Sequence, residues 1–182
     1  MQTKVSVYIA TSLDGFIARS DGSLDWLDQA NSEVPPGEDC GYQAFMNNVD
    51  VLVMGRNTYE KVLTFGDWPY ANKRVVVLSS SPVVVPDTLK KMVTTSNEAP
   101  RILFNRLSSE GAKHLYVDGG VTIQRFLQDG LIDEITVTVI PVLLGKGIHL
   151  FGSLAKDIWF NHKSTMTYPF GYVQSTYERR VG

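Results

Sequence analysis

Residues 51–60 read Val-Leu-Val-Met-Gly-Arg-Asn-Thr-Tyr-Glu. Four apolar residues run into a glycine, then an arginine, an amide and a hydroxyl, and from there the spacing turns helical. An apolar run of this kind suits a strand covered on both faces, which is the signature of a parallel sheet between helices. The junction raises a chemical question. A glycine lets backbone approach a ligand, a helix start offers free N–H groups, and an arginine adds a positive fork. The combination suits an anion.

The rest of the chain extends that reading. Strands are expected at 4–10, 49–54, 74–78, 92–95, 114–118 and 133–140. Helical spacing falls between them. Residues 40–48 place Tyr42, Phe45 and Met46 on one face. Asn97 is positioned to cap a helix carrying Leu103, Phe104 and Leu107 and closed by Gly111. Ile123, Phe126, Leu127 and Leu131 form another stripe, with Gly130 as its stop. The last third changes character: 159–168 and 172–179 are rich in Thr, Tyr and Phe, and Pro169-Phe170-Gly171 between them signals a hairpin. Strand–helix alternation followed by an antiparallel ending predicts a mixed sheet with helices on both faces.

Two more strand ends resemble the first. Val75 to Leu78 runs into Ser79-Ser80-Ser81, and His114 to Val117 runs into Asp118-Gly119-Gly120-Val121-Thr122. Ligands of open α/β sheets bind beyond the carboxyl ends of strands, and helix N-termini favour phosphate. Gly and Ser after strands also serve ordinary turns. Three such ends in one topological position suit a ligand with several phosphates, such as a dinucleotide.

Composition sets the bounds. The 182 residues suffice for one domain spanning 1–182, and 43% apolar with 20% charged residues describes a packed globular chain. A net charge of −2 without a Lys/Arg run disfavours nucleic acid. No stretch approaches the ~20 apolar residues of a membrane helix. Cys40 is alone, which excludes an internal disulfide and fits a reducing cytosol. No signal-peptide pattern is present, so a cytoplasmic protein is expected. Other chemistries lack their patterns. Gly145-Lys146-Gly147 completes neither a GxGxxG nor a Walker sequence, and no GxSxG elbow occurs. His114, His149 and His162 show no metal-ligand spacing.

Taken in order, Ser12-Leu13-Asp14-Gly15-Phe16-Ile17-Ala18, Gly22-Ser23-Leu24-Asp25-Trp26-Leu27, Met54 to Glu60, Val117 to Gly120 and Pro141 to Gly147 resemble the dihydrofolate reductase-like superfamily. Within it, the chain is most similar to the reductase (C-terminal) domain of bifunctional riboflavin-biosynthesis deaminase–reductases and their stand-alone relatives. The resemblance implies a three-layer α/β/α fold with a mixed sheet of about eight strands. It implies NADPH as hydride donor, a small-molecule pyrimidine- or pterin-like substrate, and pairing into a homodimer.

Site residues follow from the resemblance. Ala10 and the Asp14-Gly15 loop would border nicotinamide and substrate. Gly55, Arg56 and Thr58 would meet the pyrophosphate. Leu78, Ser79 and Ser80 would flank the adenosine, with Ser79 or Ser80 near a 2′-phosphate. Gly119, Gly120, Val121, Thr122 and Gln124 would contact the cofactor from the other side. Asp14 is the candidate for substrate binding or proton steering; Asp-Gly is also a favoured turn pair. Folate enzymes carry an acid on their first helix, where this chain offers Gly41 or the nearby Asp39, with Phe45 beside it and Thr138 at the position of a supporting threonine. Trp26 and Trp68 would wall the pocket or cap the core. A zinc deaminase needs an HxE…PCxxC pattern, which one cysteine cannot supply. Dihydrofolate reduction and a non-catalytic nucleotide-binding module stand as alternatives.

Overall fold

The computed structural model describes residues 3–180. In chain order its elements are β1 (Lys4–Ser12), β2 (Phe16–Ala18), α1 (Asp25–Asn31), α2 (Tyr42–Asn47), β3 (Val51–Gly55), α3 (Arg56–Leu63), β4 (Arg74–Leu78), β5 (Val93–Ser96), α4 (Pro100–Ser109), β6 (His114–Asp118), α5 (Gly120–Gln128), β7 (Glu134–Ile140), β8 (Ile148–His149), β9 (Phe160–Thr167) and β10 (Val173–Arg179). Eight of the strands form one sheet in the order β5-β4-β3-β6-β1-β7-β10-β9. From β5 to β7 every pairing is parallel; β10 joins β7 and β9 antiparallel. The mixed sheet with an antiparallel ending matches the expectation from sequence.

The apolar runs behave as strands buried on both sides. Successive side chains point to opposite faces. Val51 and Val53 join Val76, Leu78, Leu115 and Val117 on one face, beneath Leu103 and Leu107 of α4 and Ile123, Phe126 and Leu127 of α5. Leu52 and Met54 join Val75 and Val77 on the other, beneath Met46 of α2 and Tyr59 and Val62 of α3. Each such buried side chain contributes about 1.5–3 kcal/mol, so the two cores hold the layers together. A third cluster, Trp26 with Ile140 and Tyr172, anchors α1 to the antiparallel end.

Both long helices end as their glycines predict. Gly111 takes φ 93°, and Ala112 N–H donates to Leu107 O while Gly111 N–H donates to Ser108 O. Gly130 repeats the pattern at φ 62°, with Leu131 N–H on Phe126 O and Gly130 N–H on Leu127 O. These are Schellman closures, which need a left-handed residue. The start of α4 differs from expectation. Pro100 occupies its first turn, and Ala99, in extended backbone with no side-chain cap, precedes it. Proline's fixed φ and missing N–H make it a natural first-turn residue, so Asn97 is not needed as a cap. Three short elements escaped the sequence reading: α1, and the two-stranded ladder of β2 with β8.

Candidate functional site

The strand order places the carboxyl ends of β3 and β6 side by side at the middle of the sheet. Each runs directly into a helix: Gly55 caps α3 and Gly119 caps α5, neither with a side-chain cap bond. The first-turn N–H groups of both helices are therefore left for a ligand, and the positive ends of two dipoles lie together. The junction is tight. A Cβ built on Gly55 would lie 2.9 Å from Thr122 Oγ1, and one on Gly119, at φ 92°, would overlap Thr58 Oγ1. Each glycine is thus packed against the threonine of the other helix start. Only a residue without a side chain lets the two termini approach this closely.

A cavity of about 620 Å³ opens over this junction. Its wall contains Ala10, Gly55, Arg56, Thr58, Leu78, Ser79, Ser80, Gly119, Gly120, Val121 and Thr122, so the structure brings together every expected cofactor residue except Gln124. Gln124 instead donates from Nε2 to His149 O at 3.0 Å and Leu150 O at 3.4 Å. It fastens the segment after β8 to α5. Ser79 shapes its own turn, donating to Ser81 O at 2.7 Å and accepting from Ser81 N–H at 3.1 Å. Arg56 reaches Glu60 only loosely, at 3.8 Å, and is largely exposed, so its charge stays available. A larger hollow of about 980 Å³ lies elsewhere, between the end of α5, residues 154–159 and Arg179-Arg180. It carries none of the converging strand ends.

The expected substrate residues are not in the cavity wall. Asp14 accepts from Ser12 Oγ at 2.6 Å, from Gly145 N–H at 2.7 Å and from Leu144 N–H at 3.1 Å. The Ser12 hydroxyl and these amides hold its carboxyl down at about 2. Through these bonds Asp14 latches the loop after β1 to residues 144–145 as an ionised acceptor near neutrality. Gly15, at φ 84°, forms the turn of that latch, and its carbonyl accepts from Leu150 N–H at 3.1 Å. Asp39 spends both oxygens on Gly41 N–H at 2.9 Å and Gln43 N–H at 2.8 Å, at the start of α2. Phe45 stacks on Tyr8 at 4.7 Å in the core beneath. Trp26 is buried with α1, and Trp68 packs against Tyr59 and Tyr70. Thr138 accepts from Gln174 Nε2 at 2.9 Å, within a cluster that also holds Tyr8 Oη and Cys40 O.

Sequence reading missed the most chemically distinctive group of the wall. Asp118, the last residue of β6, faces the cavity. Burial lifts its carboxyl to about 6, against the pull of the Gly119 N–H that donates to it at 2.8 Å. Around it lie Tyr42, Tyr70 and Tyr116, whose phenols are raised first by burial and then by the Asp118 charge. The Val117-Asp118-Gly119-Gly120 string marked the position, but nothing in a linear pattern reveals desolvation. Lys61, Glu98 and Arg125 also reach the wall. Their signal was weak because each reads as an ordinary surface charge.

Over the junction, β2 and β8 form a small roof. Ile17, Ala18 and Ile148 line the cavity from above. A Cβ on Gly120 would meet Ile17 Cδ1 at 3.0 Å and Ile148 Cγ2 at 3.3 Å. Among the described residues, no group of three His, Cys, Asp or Glu side chains is placed to hold a metal ion, and no helix is long and apolar enough to cross a membrane.

Comparison with known proteins agrees with this architecture. The sequence profile of the RibD C-terminal domain matches residues 3–173. "Uncharacterized protein YwjB" of Bacillus subtilis (strain 168) is 41% identical over 168 residues, which span 91% of this chain and 92% of that one. The crystal structure of a "Putative riboflavin biosynthesis protein" from Shewanella sp. PV-4 superposes with a TM-score of 0.91 at 43% identity, covering 98% of this chain and all 100% of the other. The diaminohydroxyphosphoribosylaminopyrimidine deaminase/5-amino-6-(5-phosphoribosylamino)uracil reductase of Thermotoga maritima shares the fold, with a TM-score of 0.73 at 16% identity over 98% of this chain and 57% of that one. Profile, sequence relative and solved structure converge with the ordered motifs: the chain belongs to the RibD C-terminal domain family.

Proposed function

We propose that the protein is an NADPH-dependent reductase of the riboflavin-biosynthesis type, acting on 5-amino-6-(5-phosphoribosylamino)uracil or a close pyrimidine relative. The observation that carries this reading is the interlock of Gly55 with Thr122 and of Gly119 with Thr58. It sets two uncapped helix starts at one point of a cavity large enough for a dinucleotide. The pyrophosphate would meet the N–H groups of α3 and α5, with Arg56 beside them. Leu78 to Ser80 would flank the adenosine and Ala10 the nicotinamide.

When bound, NADPH supplies a hydride to the carbonyl or imine carbon of the substrate's opened ribose. Reduction also needs a proton. Asp118 is the residue of the wall suited to hold one, since its carboxyl is lifted to about 6. Asp14 takes a positioning part by fixing the loops on either side of the β2–β8 roof, which excludes water. The commitment of Asp39 to the start of α2 weighs against a folate reading. Pairing of two copies belongs to the same proposal. The free edge at β9 carries the exposed Met166, with exposed Trp159 just before it.

The test is direct. NADPH binding is titrated by fluorescence, and NADPH oxidation is followed with 5-amino-6-(5-phosphoribosylamino)uracil and, separately, with dihydrofolate. Oxidation with the pyrimidine alone is the expected result. Binding without turnover of either would reduce the protein to a nucleotide-binding module, and turnover of dihydrofolate alone would replace the substrate.

A further inference from the structure

A dinucleotide held by its phosphates at the β3–β6 junction must extend to both sides of it. On one side lie β1 and Asp118. On the other lie the ends of β4 and β5, with Ser79, Ser80, Ser81, Asn97 and Glu98 in the wall. Among the described residues, Glu98 is the one carboxylate at that end of the cavity wall. A bare carboxylate there suits a ribose 2′-hydroxyl and repels a 2′-phosphate.

Glu98 is not bare. Arg106 of α4 grips it with Nε 3.1 Å from both oxygens and Nη2 2.7 Å from Oε2. Ser96 Oγ adds a fourth contact to Oε2 at 2.6 Å. Arg106 is itself outside the wall. Its Nη1 donates to Glu110 at 2.9 Å, and Arg74 closes the far side of Glu110 at 2.7 Å. A ladder of alternating charge therefore runs from the cavity lip to β4 and fixes Arg106 in place.

We propose that Arg106 is a positioning residue for cofactor choice: by cancelling the Glu98 charge at the adenosine end of the cavity, it permits a 2′-phosphorylated dinucleotide. This inference rests on the reading of the cavity as a dinucleotide site. Arg106 touches no cofactor; it acts through Glu98.

Dissociation constants for NADPH and NADH, measured by fluorescence titration on wild type, R106M, E98Q and the double variant, test it without reference to turnover. R106M exposes the carboxylate to the 2′-phosphate and weakens NADPH roughly tenfold while leaving NADH within about twofold, the scale of like charges near solvent. E98Q frees the Arg106 charge and tightens NADPH several-fold, again sparing NADH. The double variant regains NADPH affinity lost in R106M. E98Q removes no cation, so it tests the claim even where R106M fails to fold. If R106M and E98Q shift both nucleotides equally or neither, the assignment of Arg106 falls while the dinucleotide site stands. If wild type binds neither nucleotide, the site reading falls and takes this assignment with it.

Discussion

Gly55 and Thr122 belong to different strand–helix junctions, yet a Cβ on the glycine would stand 2.9 Å from the threonine hydroxyl. The reciprocal pair, Gly119 and Thr58, is tighter still, and Gly119 adds a φ of 92° that L side chains rarely adopt. The two helix starts can meet because two side chains are absent.

Gly119→Ala meets both penalties, backbone strain and overlap. It is expected to lower stability by about 1–3 kcal/mol, the usual range for a forced conformation of this type. NADPH affinity should drop alongside, because the start of α5 must shift. Urea unfolding and a nucleotide titration on the same preparation check the two effects. Unchanged affinity would detach the junction from the site.

Asp14 carries a pH signature. Its carboxyl sits at about 2 in the fold against 3.8 when free. A depressed folded value means stabilisation that is present above the free value and lost as pH falls from about 4 toward 2. Asp14→Asn should remove that part of the acid sensitivity and be less stable at neutral pH, because the Leu144 and Gly145 amides lose an anionic acceptor. Unfolding midpoints at neutral pH and near the lower end of the window provide the comparison.

Asp118 has the opposite sign. Its folded value of about 6 lies above the free value of 3.8, so its contribution is complete below about 4 and is lost as pH rises through about 6. At neutral pH the ionised group is a liability. Asp118→Asn should therefore stabilise the fold by about 1 kcal/mol or more at pH 7, since raising a carboxyl's titration point tenfold in proton affinity costs its ionised form about 1.4 kcal/mol before solvent screening is allowed for. Turnover in the same variant should fall at least about a hundredfold, the low end for a lost proton donor. Gain of stability with loss of rate is what a functional carboxylate predicts; loss of both would make Asp118 structural.

At the opposite end of β6, His114 bridges Asn48 O at 3.0 Å and Ser6 Oγ at 2.8 Å. Burial lowers its value below the usual 6.5. The unfolded chain then takes up the proton first, and stability drops as pH falls below about 6.5. His114→Gln keeps a neutral polar side chain and should flatten this part of the profile. An unaltered slope between about pH 6.5 and 5 would reassign it to another group.

The layers of the fold were legible because Val51 to Met54 and Val75 to Leu78 alternate between two buried faces, and few arrangements bury both. The convergence of the strand ends on one cavity was legible for a local reason: glycines and hydroxyls sit at those ends themselves. The bonding of the acidic residues was not. Asp14 and Asp39 look reactive in sequence, but their acceptors are satisfied by amides from residues 144–145 and 41–43, contacts that only folding creates. Asp118 looks like part of a turn and gains its character from burial. Asn97 resembles a cap, but Pro100 begins the helix later and leaves Asn97 on the cavity wall.

The roof over the site pairs Phe16–Ala18 with Ile148–His149, so its two halves leave the ribosome at nearly opposite times. A nascent chain released up to α5 already holds both uncapped helix starts but has nothing to shelter them. The parallel seam of β1 with β7 is likewise late. Closing contacts so distant in sequence is slow. The cavity should thus be roofed only after the parallel core from β3 to β6 has already collapsed.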